Sequence, residues 1–201
     1  MPLFDLPSIT EVSSPSADVE RKTRSTSAIE AFENMHIEKV HSLKELLGRV
    51  PAKGEIYFLW TLNSFNAFTF ITYIIKYFGN IRQLTFSTYA INERILTSLV
   101  RWYDKGSIDS IYICISDSIR SRVPKVNDQL QAFASTRNIK IGYAWNHSKV
   151  TLIRTDEHHF VICGSGNFSE NALNEQYIFL NDERIYNFYE ECILNRSDRG
   201  R

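Results

Sequence analysis

His147 and Lys149 stand two residues apart, and Gly164-Ser165-Gly166-Asn167 follows them toward the C-terminus. An imidazole can attack phosphorus and carry it as a covalent intermediate. A neighbouring ammonium can hold the non-bridging oxygens and stabilise the charge that grows in the transition state. Glycines let backbone amides approach an anion closely. Ser165 and Asn167 add side-chain donors. The combination points to phosphodiester chemistry carried by side chains, with no metal or other cofactor expected.

These residues need two adjacent strands to hold them. Val150 to Arg154 and Phe160 to Cys163 read as short strands joined by the polar turn Asp156-Glu157-His158-His159. Alternate side chains of an extended segment share a face, so His147 and Lys149 should project together and Ser148 away from them. The hairpin should bring the end of the second strand, Gly164 to Asn167, back beside His147.

Upstream, strand and helix patterns alternate. Ile56 to Trp60, Gln83 to Tyr89, Ile108 to Ile115 and Ile139 to Ala144 read as strands. Ser64 to Tyr77, Asn92 to Tyr103 and Val126 to Arg137 read as helices, the first capped by Asn63 or Ser64 and stopped by Gly79. Tyr177 to Leu180 is a last strand and Asp182 to Ile193 a closing helix. This alternation predicts an α/β fold whose mixed, largely parallel sheet is flanked by helices. A helix over Ala28 to Leu47, interrupted near Met35 to Val40, should precede it. Residues 1–27, rich in Ser, Pro, Thr and charge, read as a disordered tail, leaving 28–201 as one folded domain.

The chain of 201 residues balances 23 Lys and Arg against 23 Asp and Glu. Zero net charge supplies no global attraction for nucleic acid or acidic lipid, so any anion site must be local. The three cysteines, Cys114, Cys163 and Cys192, show no zinc spacing, and two sit in apolar runs, as reduced cysteines do. No basic region followed by an apolar stretch opens the chain, so a cytoplasmic protein is expected. Phe65 to Phe78 is too short to span a bilayer.

The stretch from His147-Ser148-Lys149 through Gly164-Ser165-Gly166-Asn167 to Glu175 resembles the phospholipase D superfamily, whose hallmark is H-x-K, an aspartate after four further residues, then G-S-x-N. The α/β pattern from about residue 55 is similar to one half of that fold. The resemblance implies a phosphohistidine mechanism in which His147 attacks, Lys149 and Asn167 hold the phosphoryl oxygens with Ser165 nearby, and Glu175 accepts from the second nitrogen of His147. At the family's aspartate the chain has Arg154; the nearest acid is Asp156. The His147-to-Gly164 spacing is longer than usual in the family.

That mechanism uses two histidines, one to attack and one to protonate the leaving group. With one motif and no internal repeat, the chain is expected to pair as a homodimer with two copies of His147 facing each other. Small single-motif members of the superfamily resemble this arrangement, and several are nucleases. A nuclease on DNA or RNA is therefore the leading expectation. A phospholipase or phosphatidyl transferase, and a nucleic-acid-binding module without turnover, are the alternatives; no membrane-seeking helix favours the lipid reading. Arg120, Arg122 and Lys125, after the strand ending at Ile115, could position a nucleic-acid backbone. Tyr143 and Trp145 could stack on a base, although core packing suits at least one of them. Asn146 carries no signal that separates it from an ordinary loop residue.

Overall fold

Apolar and polar residues alternate along Leu84-Thr85-Phe86-Ser87, whereas Phe160-Val161-Ile162-Cys163 is apolar throughout, and because successive side chains take opposite faces that strand feeds a core on each side of the sheet. A computed structural model describes residues 28–61, 66–169 and 174–197. The tail expected over 1–27, the caps expected at Asn63 and Ser64, and positions 170–173 of the motif stretch lie outside the described residues.

The chain runs α1 (Ala28–Leu47), β1 (Ile56–Thr61), α2 (Ala67–Phe78), β2 (Gln83–Thr88), α3 (Glu93–Asp104), β3 (Ile111–Ser116), α4 (Ile119–Arg122), α5 (Pro124–Ala134), β4 (Ile139–Ala144), β5 (Val150–Arg154), β6 (His159–Gly164), β7 (Glu175–Asn181) and α6 (Glu183–Ser197). The strands form one open sheet in the order β1-β7-β6-β5-β2-β3-β4. β2, β3 and β4 pair in parallel, whereas β5 pairs antiparallel with β2, and β5-β6-β7-β1 pair antiparallel in turn. All strands except β5 and β7 therefore point the same way. The fold is the expected mixed α/β sheet between helices.

Two expectations change. α1 is continuous, not interrupted near Met35 to Val40; no Gly or Pro breaks it, and Val40 and Leu43 pack into the core one turn apart. α2 starts later than expected, because Asn66 caps it: its Oδ1 accepts from the Thr69 amide at 3.3 Å. Gly79 stops the helix as expected, at a φ of 84° that suits glycine.

The larger core lies between the sheet and α1, α2, α3 and α5. Phe70, Ile71 and Ile74 of α2 meet Leu84, Phe86, Ile113, Phe160 and Phe179 from the strands. The other face carries Cys114, Val150, Leu152, Val161 and Leu180 beneath Tyr186 and Ile193 of α6. Because α6 lies over β2 to β6, the edge strand β1 leaves Ile56, Phe58 and Trp60 exposed in a row. Cys114 is buried, Cys163 half-buried and Cys192 exposed, and all are free thiols. Among the described residues no helix is long and apolar enough to cross a membrane.

Candidate active site

Strand direction gathers the motif residues at one edge of the sheet. The C-terminal ends of β2, β3, β4 and β6 meet the starts of the reversed strands β5 and β7 there. This is where open α/β sheets bind ligands, since loops there diverge and leave a crevice. His147, Ser148 and Lys149 lead into β5, Gly164 ends β6, and Glu175 opens β7. The Gly164 amide donates to Lys149 O at 3.2 Å, which places the two motif halves side by side.

His147 and Lys149 do project together: Lys149 Nζ lies 3.1 Å from His147 Nδ1 and donates to His147 O at 2.8 Å. Ser148 turns the other way, its Oγ 2.7 Å from Ser87 Oγ. Burial lowers the Lys149 pKa, and the negative charge of Glu175 opposes that shift. An ammonium donating to Nδ1 puts the ring proton of a neutral His147 on Nε2. Nδ1, the atom a carboxylate such as Glu175 would orient, thus faces Lys149. Glu175 is only 7% exposed, and its carboxylate accepts a hydrogen bond from Ser165 Oγ. Ser165 Oγ also accepts from the Gln176 amide at 3.1 Å.

The two glycines also answer a steric demand that their spacing does not show. The Ser165 amide is occupied, bonding Gln176 O at 3.1 Å, as is that of Gly164. What forbids a side chain is Tyr177, which crosses both positions. A Cβ on Gly164 would sit 2.5 Å from Gln176 O and against the Tyr177 ring, and one on Gly166 would strike the Tyr177 hydroxyl. Gly166→Ala should therefore cost about 1–3 kcal/mol of stability, read as a lower urea midpoint at unchanged slope. In a Tyr177→Phe background the same change should cost less, because the struck atom is gone.

Asn167 is tied to the end of β2. Its Oδ1 accepts from Thr88 Oγ1 at 3.5 Å, which leaves Nδ2 as its donor end. The following residue holds the segment down: Phe168 is buried and stacks on Phe86 with ring centroids 4.1 Å apart.

Two residues of this edge were not legible as functional. Asn146, 7% exposed, laces three segments together. Its Nδ2 donates to Ser87 Oγ at 2.7 Å, Thr88 O at 3.3 Å and Cys114 O at 3.5 Å. Its Oδ1 accepts from the Ser148 amide at 2.9 Å and from Ser148 Oγ at 2.7 Å. The bond to the amide two residues on is an Asx-turn, and an Asn directly before the motif was the available signal. The second is Tyr89, whose ring lies 5.0 Å from that of His147.

The three basic candidates separate. Arg122 reaches the site, its guanidinium 5.2 Å from the Tyr89 ring centre and bonded to the Tyr89 hydroxyl. Arg120 lies 4.0 Å over the ring of Tyr143 and pairs with Asp117 at 3.2 Å. Lys125 is held by Glu93 of α3 at 3.0 Å. Tyr143 is half-buried, with its hydroxyl donating to Asn127 at 2.7 Å, whereas Trp145 is 86% exposed. Arg154 and Asp156 lie at the opposite edge, where Asp156 binds Arg82 at 2.6 Å. Asp156 therefore takes no part in this site. His158 and His159 share that far edge, and His41 sits on α1 beside Glu45. Among the described residues no three His, Cys, Asp or Glu side chains gather as metal ligands.

The architecture is shared with proteins of solved structure. Among solved structures that share it, polyphosphate kinase from Porphyromonas gingivalis aligns over 83% of this chain and 29% of its own, with a TM-score of 0.53 and 14% identity. Phosphatidylserine synthase from Haemophilus influenzae Rd KW20 aligns over 72% and 39%, with a TM-score of 0.50 and 9% identity. TrmBL2, an archaeal chromatin protein described for its mode of DNA binding, aligns over 86% and 62%, with a TM-score of 0.49 and 11% identity. The chain thus spans less than two thirds of each neighbour. No family model and no curated protein sequence matches it.

Proposed function

We propose that this protein is a phosphodiesterase that cleaves DNA or RNA through a phosphohistidine at a homodimer interface. The observation that carries the reading is His147 and Lys149 side by side at the C-terminal ends of the parallel strands, with Gly164 bonded to Lys149. The two neighbours whose fold is shared, a polyphosphate kinase and a phosphatidylserine synthase, add support for phosphoryl transfer.

With Lys149 donating to Nδ1, the ring proton of a neutral His147 is on Nε2, the wrong place for attack. A bound phosphodiester draws the ammonium onto its non-bridging oxygens, where Asn167 Nδ2 joins it. Exchange with solvent at the exposed ring then puts its proton on Nδ1, where Glu175, close enough to Lys149 to act on its charge, can accept the hydrogen bond. Nε2 attacks phosphorus, and the bond to the leaving oxygen breaks. His147 of a second copy protonates that oxygen, and then takes a proton from the water that hydrolyses the phosphohistidine. The exposed row Ile56, Phe58 and Trp60 supplies apolar surface for association of two copies.

Protein treated with EDTA should hydrolyse single-stranded DNA or RNA, and acid-labile, base-stable phosphate should be trapped on the chain. Activity that vanishes in EDTA and returns only with a divalent cation would overturn the mechanism. Vesicles of phosphatidylcholine or cardiolipin, offered in parallel, should stay intact.

A further inference from the structure

We infer that the edge formed by the ends of β2, β3 and β4 is a stacking track for single-stranded nucleic acid, with Trp145 as the base platform beside the reacting phosphate. This deepens the phosphodiesterase reading by naming the substrate class, and it rests on that reading only for the fate of the bound strand.

Trp145 leaves 86% of its surface in water, an unfavourable place for the largest amphipathic ring unless a ligand covers it. It stands two residues before His147, so the two Cα atoms are at most about 7 Å apart. The next residue, Asn146, is buried and anchored on β2 and β3, so the platform has a fixed base. Aromatic rings and cations interleave along the same edge. Arg120 lies 4.0 Å over Tyr143, and Arg122 5.2 Å over Tyr89, which itself meets His147. A phosphate can be met by Arg122 while bases meet the rings.

Charge balance favours stacking as the main source of affinity. A protein that grips duplex DNA through phosphates alone needs a large excess of cations. This chain has none, and Asp117 and Glu93 already occupy Arg120 and Lys125. Stacking on an indole needs a base with a free face, which a paired and stacked duplex does not offer. The track therefore selects unpaired strands.

The test is fluorescence anisotropy of a labelled oligothymidylate and of the corresponding duplex, with full-length protein carrying His147→Ala so that the strand is not cleaved during the titration. This protein should bind the single strand at least about tenfold more tightly than the duplex. Trp145→Ala should weaken single-strand binding by about 5- to 150-fold, the range reported for losing one stacked base. Trp145→Phe should retain most of it, and circular dichroism should be unchanged in both variants. Equal affinity for the duplex, or no loss in Trp145→Ala, would overturn the inference. If binding depends on Trp145 but wild type cleaves neither the oligonucleotide nor bis(p-nitrophenyl) phosphate, the phosphodiesterase reading fails and the stacking track stands.

Discussion

His147→Ala should lower phosphodiester hydrolysis by at least about 10⁴-fold, the size of loss seen when a covalent nucleophile is removed. The ring is exposed, beside Tyr89 and Lys149, so the variant should fold with an unchanged melting midpoint. The phosphate trapped on the protein should vanish with turnover. Mixing then tests the pairing. If each catalytic centre needs His147 from both copies, re-equilibrating wild type with an equal amount of variant leaves about one quarter of the dimers fully active. Activity per wild-type chain should therefore fall to about half that of wild type alone. Activity that follows the wild-type chain count without such a fall would mean that one copy suffices, and the second proton donor would have to come from the same chain. Lys149→Ala should be comparably inactive, because it removes both the phosphate ligand and the group facing Nδ1.

Strand and helix periodicity made the fold legible. Leu84 and Phe86, or Phe160 and Ile162, alternate with partners on the other face, and the closing helix covers that second face. What periodicity could not supply was strand order. β5 enters the sheet between β2 and β6, reversed, and that insertion brings His147 to the C-terminal ends of its neighbours. The motif residues were legible because their types and spacing carry chemistry by themselves. The steric demand on the glycines was not legible, because the spacing is silent about Tyr177, whose ring crosses both positions. Tyr89 was invisible for a related reason: it lies far from His147 in sequence, at the end of a strand that only the sheet order makes adjacent. Asp156 shows the converse. It is the acid nearest in sequence to the missing aspartate, yet the strand carries it to the far edge and into an ion pair with Arg82.

Asn146→Ala should cost about 2–4 kcal/mol, toward the upper end for a single substitution outside the apolar core. The side chain is small, so the cost arises from polar groups rather than from a cavity. Removing it leaves the Ser148 amide without its acceptor, and it takes the donor from Ser87 Oγ and from the carbonyls of Thr88 and Cys114. Asn146→Asp separates the donor role from the acceptor role. A carboxylate still accepts from Ser148, but it now faces the Thr88 and Cys114 carbonyls with no hydrogen to give. The protonated acid can donate, so the folded state favours it and raises its pKa above that of the unfolded chain. A raised folded pKa gives stability that is full below the unfolded value and is lost as pH rises through the folded one. Asn146→Asp should therefore approach wild-type stability at acid pH and fall away from it toward neutrality, which urea unfolding across that range would measure. Turnover should fall with kcat rather than KM in both variants, because the loop that aims His147 is displaced while the groups that bind phosphate remain. An Asn146→Asp variant whose stability relative to wild type is flat with pH would mean that the Nδ2 bonds to β2 and β3 do not hold the motif in place.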